Sequence, residues 1–248
     1  MFKVKVILKS ASEIQIMKEN GDKISRIFSN LVKLSKVGVN LLDIEKRAVQ
    51  LIKLAGGEPG FARVPNYYWA ACLNINEGIV HGVPKNYKLQ EGDILTIDTG
   101  MYYKEFNSDM SATFLISDQA EAEKNKKYQK INNFLSAGKK ALKMAIKQAV
   151  PNNYVGNISQ KIQEVIENNG YNCARNLTGH GVGRDLHEEP MIPCFLDRRI
   201  KETVTLQAGM VIAIEVIYTQ GKPDLVIDPS DKWTINTRDG KMSAVFEE

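Results

Sequence analysis

Cysteine and histidine are scarce in this sequence, at three residues each among 248. Cys72, Cys173 and Cys194 form no Cys-x-x-Cys pair and are odd in number. That argues against a disulfide framework or a thiolate metal site and fits a reducing, cytoplasmic setting. Long apolar runs are missing as well. Nothing approaches the ~18 residues of a membrane-spanning helix, and Met1–Ser10 lacks the apolar stretch of a secretory signal. Charge of one sign is not in excess. A net charge of +4 is too mild to imply specific nucleic-acid binding, though it is compatible with loose attraction to a polyanion. Low-complexity segments and repeat arrays are absent too. The composition, 43% apolar and 25% charged, is ordinary for a soluble globular protein, and the length allows one large domain or two small ones with a real core.

The chain divides into two stretches of similar order. Ser10-Ala11-Ser12-Glu13 reads as a capping box. It opens a helix whose Ile14, Met17, Ile24, Ile27, Phe28 and Leu31 face a core, with Gly38 as its break. A second helix is expected over about Leu42–Ala55, closed by Gly56-Gly57. Pro59 and Pro65 mark a loop, Trp69–Ile75 a strand, and Glu77–Val83 a turn with a short strand. After a polar linker at Glu121–Asn125 come a long helix over about Lys126–Ala149 and a shorter one over about Gly156–Asn169. Strands follow at Leu177–Gly179, Met210–Tyr218 and Ser243–Glu247. Each half thus runs long helix, short helix ended by glycine, then strands. That order suggests two α/β halves around a pseudo-twofold axis with one site at their junction.

The hairpin Asp93–Phe114 carries the first chemistry. If Lys104-Glu105 is its turn, Tyr103 faces Phe106 and Gly100 faces Asp109. Asp98 and Asp109 then share one sheet face, with Cα atoms roughly 7–8 Å apart. Two acids converging on an apolar face repel unless a cation lies between them; the alternative is two unrelated polar residues, Asp109 being exposed. Glu215 interrupts the apolar run Met210–Tyr218, and Glu247 does the same in Ser243–Glu247. Each is paired, protonated or metal-bound, or, for Glu247, an exposed terminal residue. All three histidines, His81, His180 and His187, lie in glycine-rich segments beside these strands. Two divalent ions would cancel the charge of Asp98, Asp109, Glu215 and Glu247. Oxygen donors with one imidazole favour Mn, Fe(II), Co or Zn, and such pairs support hydrolysis.

These motifs, NEGIVHG (Asn76–Gly82), IDTG…SDMSATF (Ile97–Phe114), GHGVGRDLHEEP (Gly179–Pro190), the strand acid Glu215 and W…SAVFE (Trp233–Glu247), resemble type I methionine aminopeptidases over nearly the whole chain. The resemblance implies an α+β pita-bread fold: one catalytic domain, residues 1–248, with halves of about 10–118 and 122–248 and a central antiparallel sheet covered by helices. It implies two divalent metal ions held by Asp98, Asp109, His180, Glu215 and Glu247, with Asp109 and Glu247 bridging. His187 would face the oxyanion, His81 the scissile amide nitrogen, and Glu215 would also shuttle a proton to or from the attacking hydroxide. Tyr67, Cys72, Leu186 and Trp233 would line a methionine pocket, although a plain core role for Cys72 remains open. The implied reaction removes methionine from the N-termini of nascent polypeptides and prefers a small second residue. The implied setting is a cytoplasmic monomer with the ribosome as a candidate partner.

Three positions depart from the family pattern. Val216 stands where proline is usual, and Leu186 where some members have an aromatic residue. Glu247 is penultimate, where members usually continue through histidine and a further strand, so a frayed and poorly held last ligand is expected. Two rivals remain. One is a proline-specific peptidase of the same fold, of the prolidase or aminopeptidase P type; those usually carry an extra N-terminal domain, for which the residues before Ser10 leave no room. The other is a catalytically impaired binding relative, which would be expected to have lost ligands.

Overall fold

The computed structural model describes residues 5–117 and 125–248. The expected linker, apart from Asn125, and the expected boundaries at 118 and 122 lie outside the described residues. The capping box forms as read: Ser10 N–H donates to Glu13 Oε2 at 2.8 Å, and Glu13 N–H donates to Ser10 Oγ. It opens α1 (Ala11–Leu34), which buries Met17, Ile24, Ile27, Phe28 and Leu31; Ile14 is only half-buried. Helix α2 (Leu41–Leu54) starts behind the side-chain cap of Asn40. Helix α3 (Lys126–Ile146) ends three residues before Ala149, and α4 spans Val155–Asn168. Among the described residues no helix is long and apolar enough to cross a membrane.

Among the described residues thirteen strands follow in order: β1 (Glu58–Pro59), β2 (Ala71–Ile75), β3 (Gly78–Val80), β4 (Ile94–Tyr103), β5 (Phe106–Leu115), β6 (Asn172–Cys173), β7 (Thr178–Gly181), β8 (Glu188–Pro193), β9 (Ile212–Ala213), β10 (Glu215–Thr219), β11 (Leu225–Ile227), β12 (Ile235–Thr237) and β13 (Ser243–Glu247). The main antiparallel sheet has the order β1-β4-β5-β13-β10-β6, with β2 also on β4. Helices α1 and α2 pack on its β4–β5 half, and α3 packs on β13 and β10. Two three-stranded sheets, β11-β12-β3 and β8-β7-β9, complete the fold.

The hairpin has the register read from sequence, Tyr103↔Phe106 and Gly100↔Asp109. Lys104 and Glu105 make its turn with φ of 47° and 71°, the left-handed pair that matches the twist of two antiparallel strands. The expected strand Met210–Tyr218 is instead two strands in two sheets. They part at Ile214, whose N–H donates to Glu248 O at 2.9 Å. Ala213 of β9 pairs with His180 of β7, while Glu215 of β10 pairs with Glu247 of β13. A nearly unbroken apolar run carries no alternation to mark such a handover. Glu58–Pro59, expected in a loop, forms an edge pair with Tyr102 and Met101; an edge position tolerates a proline.

Candidate metal centre

Strand alternation puts the acids on one face of the main sheet and apolar side chains on the other. On β10 and β13 the neighbours Val216, Tyr218, Ala244 and Phe246 are buried in the core cluster that includes α3. Tyr218 Oη donates to Phe134 O at 2.6 Å. Glu215 and Glu247 must therefore point to the opposite side. Across the sheet the pairs Asp98↔Ser111, Ser111↔Glu247 and Glu247↔Glu215 align in register. Three carboxyl groups thus lie in one row over four strands, and Asp109 joins them two residues along β5 from Ser111. Glu247 sits inside the sheet, 3% exposed. The expected frayed end is not seen, because β5 and β10 pair with this strand on both sides.

His180 enters from the smaller sheet. Its Nδ1 lies 2.8 Å from Gly181 O. A carbonyl only accepts, so Nδ1 carries the proton and Nε2 turns a lone pair to the acids. Nε2 is 3.6 Å from Glu215 Oε1 and 3.8 Å from Asp109 Oδ2, too far for hydrogen bonds. Burial pushes His180 down to about 4, with His187 adding to the shift against the Gly181 carbonyl. These contacts therefore join a neutral imidazole to the acids and are not ion pairs.

The acids are held in the opposite direction. Burial pushes Asp98 up to about 7, against the pull of Asp109 and Cys72. Asp109 is raised further by burial and by the charges of Glu247 and Asp98. Glu215 and Glu247 are likewise raised well above the ordinary range by burial and by neighbouring carboxylates. Glu215 and Glu247 also face each other on adjacent strands, which like charges do not favour. Asp98 Oδ1 and Glu247 Oε1 are buried without a hydrogen-bond partner. Donor atoms of Asp109, His180 and Glu247 lie within 4.8 Å of one another. Unmatched carboxylate oxygens beside an imidazole lone pair are the donor set of a hard-to-borderline divalent ion, so the residues fit a metal.

All eleven residues singled out in the sequence line one pocket of about 140 Å³. That is well below the ~300–1,000 Å³ of sites for drug-sized ligands, so it suits a single side chain. Tyr67 Oη donates to Cys72 Sγ at 3.2 Å, and its ring meets Trp233 edge-on at 5.1 Å. Cys72 is both core and pocket wall: it is 2% exposed, is registered against Asp98, and has its thiol pushed up by burial. Behind it, Glu45 of α2 accepts the N–H groups of Ala70 and Ala71 at 2.8 and 3.0 Å and fixes the start of β2. His81 and His187 keep solvent-facing edges at the mouth, yet the pocket walls desolvate both rings and hold them below the usual imidazole range. His81 has φ of 56°, a left-handed backbone that a non-glycine residue adopts at a cost of about 1–2 kcal/mol. The sequence reading missed Phe61, Val64 and Val80, which complete the lining. Phe61 and Val64 lie in and beside a short turn with no period to expose them, and Val80 reads as an ordinary strand residue.

The sequence profile of metallopeptidase family M24 matches residues 15–247, and the chain belongs to that family. Relatives that it matches over most of their length are named methionine aminopeptidases. One from Clostridium perfringens is 32% identical over 243 residues, covering 98% of this chain and 93% of its own length. One from Aquifex aeolicus is 39% identical over 193 residues, covering 77% and 71%. Among solved structures, methionine aminopeptidase from Thermotoga maritima superposes with a TM-score of 0.89 at 32% identity, covering 98% of this chain and 94% of that one. Prolidase from Pyrococcus furiosus, at 22% identity and a TM-score of 0.72, shares the fold. The architecture is the α+β pita-bread fold.

Proposed function

We propose that the chain is a methionine aminopeptidase: one catalytic domain of two halves that removes N-terminal methionine from nascent polypeptides in the cytoplasm, as a monomer and near the ribosome. The observation that carries this reading is the in-register row of carboxyls closing the floor of a side-chain-sized apolar pocket. Asp98, Asp109, His180, Glu215 and Glu247 would hold two divalent ions (Co, Mn, Fe(II) or Zn), with Asp109 and Glu247 shared between them. Bound there, such ions supply Lewis-acid polarisation of the scissile carbonyl and acidify the attacking water.

The remaining work falls to the chain. Tyr67, Cys72, Leu186 and Trp233, with Phe61, hold the methionine side chain, whose flexible thioether suits an apolar slot with aromatic walls. The acid row receives the substrate ammonium. Glu215 would accept the proton of the attacking water and return it to the leaving amine. His187 donates to the developing oxyanion and His81 contacts the scissile nitrogen.

The test is a side-by-side assay of Met-Ala-Ser, Met-Leu-Ser and Ala-Pro peptides with added Mn²⁺ or Co²⁺. Cleavage of Met-Ala-Ser above both others is expected, and preference for Ala-Pro would favour a prolidase-type enzyme. In the same assay His187→Ala should lower kcat by ~10²-fold, as loss of an oxyanion donor does, with metal content unchanged. Loss of metal would make His187 a ligand.

A further inference from the structure

Lys9 precedes α1, far in sequence from the site, yet its side chain is buried. Its Nζ lies 2.5 Å from Glu188 Oε2, and the two side chains are 3% and 4% exposed. Its backbone N–H donates to Gly209 O at 2.7 Å. Glu188 opens β8 directly after His187, and Gly209 ends the turn that leads into β9. In this sheet β7, the strand of His180, lies between β8 and β9. Lys9 therefore holds both flanks of the His180 strand, one through its main chain and one through its charge.

The packing around this pair is tight. A Cβ on Gly183 would collide with both Glu188 Oε1 and Lys9 Cε, so the β7–β8 loop closes directly over the ion pair. The same loop carries His187 into the pocket. His187 makes no side-chain hydrogen bond to the described protein; its ring only meets His180 edge-on at 4.5 Å. Where that ring stands thus depends on the backbone beside it, and Glu188 anchors that backbone. Removing one member of a buried ion pair leaves the other charged and unpaired, whereas neutralising both is tolerated far better.

We propose that Lys9 is a positioning residue for the active site, setting the His187 loop through its buried contact with Glu188. The proposal rests on the aminopeptidase reading for its kinetic part only. The test uses Zn²⁺-loaded protein with ¹³C-labelled histidine rings, whose three signals are assignable by substitution, together with Met-Ala-Ser turnover. In Lys9→Met the His187 signal should shift or broaden by more than that of His81, whose ring stands against Trp233. The kcat should fall at least ~10-fold with KM within ~3-fold, because an oxyanion donor acts mainly in the transition state. Lys9→Met/Glu188→Gln should recover kcat to within ~3-fold of the parent, and it serves as the informative variant if the single one does not fold. An unmoved His187 signal with unchanged kcat, or a double variant that folds but gains nothing over the single one, would overturn the clamp. If the parent does not cleave Met-Ala-Ser, the functional reading fails while the His187 signal still decides on Lys9.

Discussion

Asp109→Asn should remove tight divalent-metal binding and lower kcat on Met-Ala-Ser by roughly 10³-fold or more, the equivalent of the several kcal/mol that metal polarisation contributes. Asp109 stands at the centre of the cluster. It shares its face of β5 with the row formed by Asp98, Glu247 and Glu215, and its Oδ2 lies 3.8 Å from His180 Nε2. Its carboxyl is raised by burial and then by the charges of Glu247 and Asp98, so the same charge that would hold a cation strains the chain without one. The variant should therefore have a second, opposite effect: in the presence of chelator it should melt above the parent at pH 7.5. Calorimetric titration with Mn²⁺, turnover, and melting with chelator read the three parts. A variant that keeps metal and turnover would place the centre elsewhere.

The metal-free chain should lose stability as pH rises from 6.5 to 8. A carboxyl whose folded pKa is raised contributes fully below its unfolded value of ~3.9, and that contribution is lost as pH climbs through the folded value. For Asp98, raised to about 7, the whole loss between about pH 4 and 7 is on the order of 4 kcal/mol, of which about 1 kcal/mol falls above pH 6.5. Asp109, Glu215 and Glu247 act in the same direction. His180 has the opposite sign: held at about 4, its contribution is present above ~6.5 and lost as pH falls toward 4. Above pH 6.5 only the carboxyls remain, which makes that window the clean one. Added divalent ion should restore the melting temperature at pH 8 more than at pH 5.5, because metal and protons compete for the same oxygens. A flat metal-free profile from pH 6.5 to 8 would mean that the acids are not mutually buried.

Much of this is legible in the sequence because the informative residues break a local pattern. Glu215 and Glu247 are charges in apolar runs, and the Lys104-Glu105 turn fixes which hairpin residues face each other. The pairing Gly100↔Asp109 followed from counting. The division of Met210–Tyr218 at Ile214 did not, because an apolar run looks the same whether it serves one sheet or two. The secure seat of Glu247 was invisible for a related reason: sequence position suggests fraying, whereas flanking strands on both sides prevent it, and those partners are more than a hundred and about thirty residues away. The Lys9–Glu188 pair, spanning most of the chain, leaves no local sign at all. Phe61 and Val64 reach the pocket only because the loop after β1 folds back over β4.

On the proposed reading, carboxyls from both halves and one imidazole share a pair of divalent ions. An anomalous difference map from crystals soaked in Mn²⁺ tests it most directly. Two peaks in the pocket are predicted, one beside Asp98 and one beside His180 and Glu215, with Asp109 and Glu247 reaching both. Absence of any peak among these five residues at saturating Mn²⁺, or strong peaks only elsewhere on the chain, would contradict it.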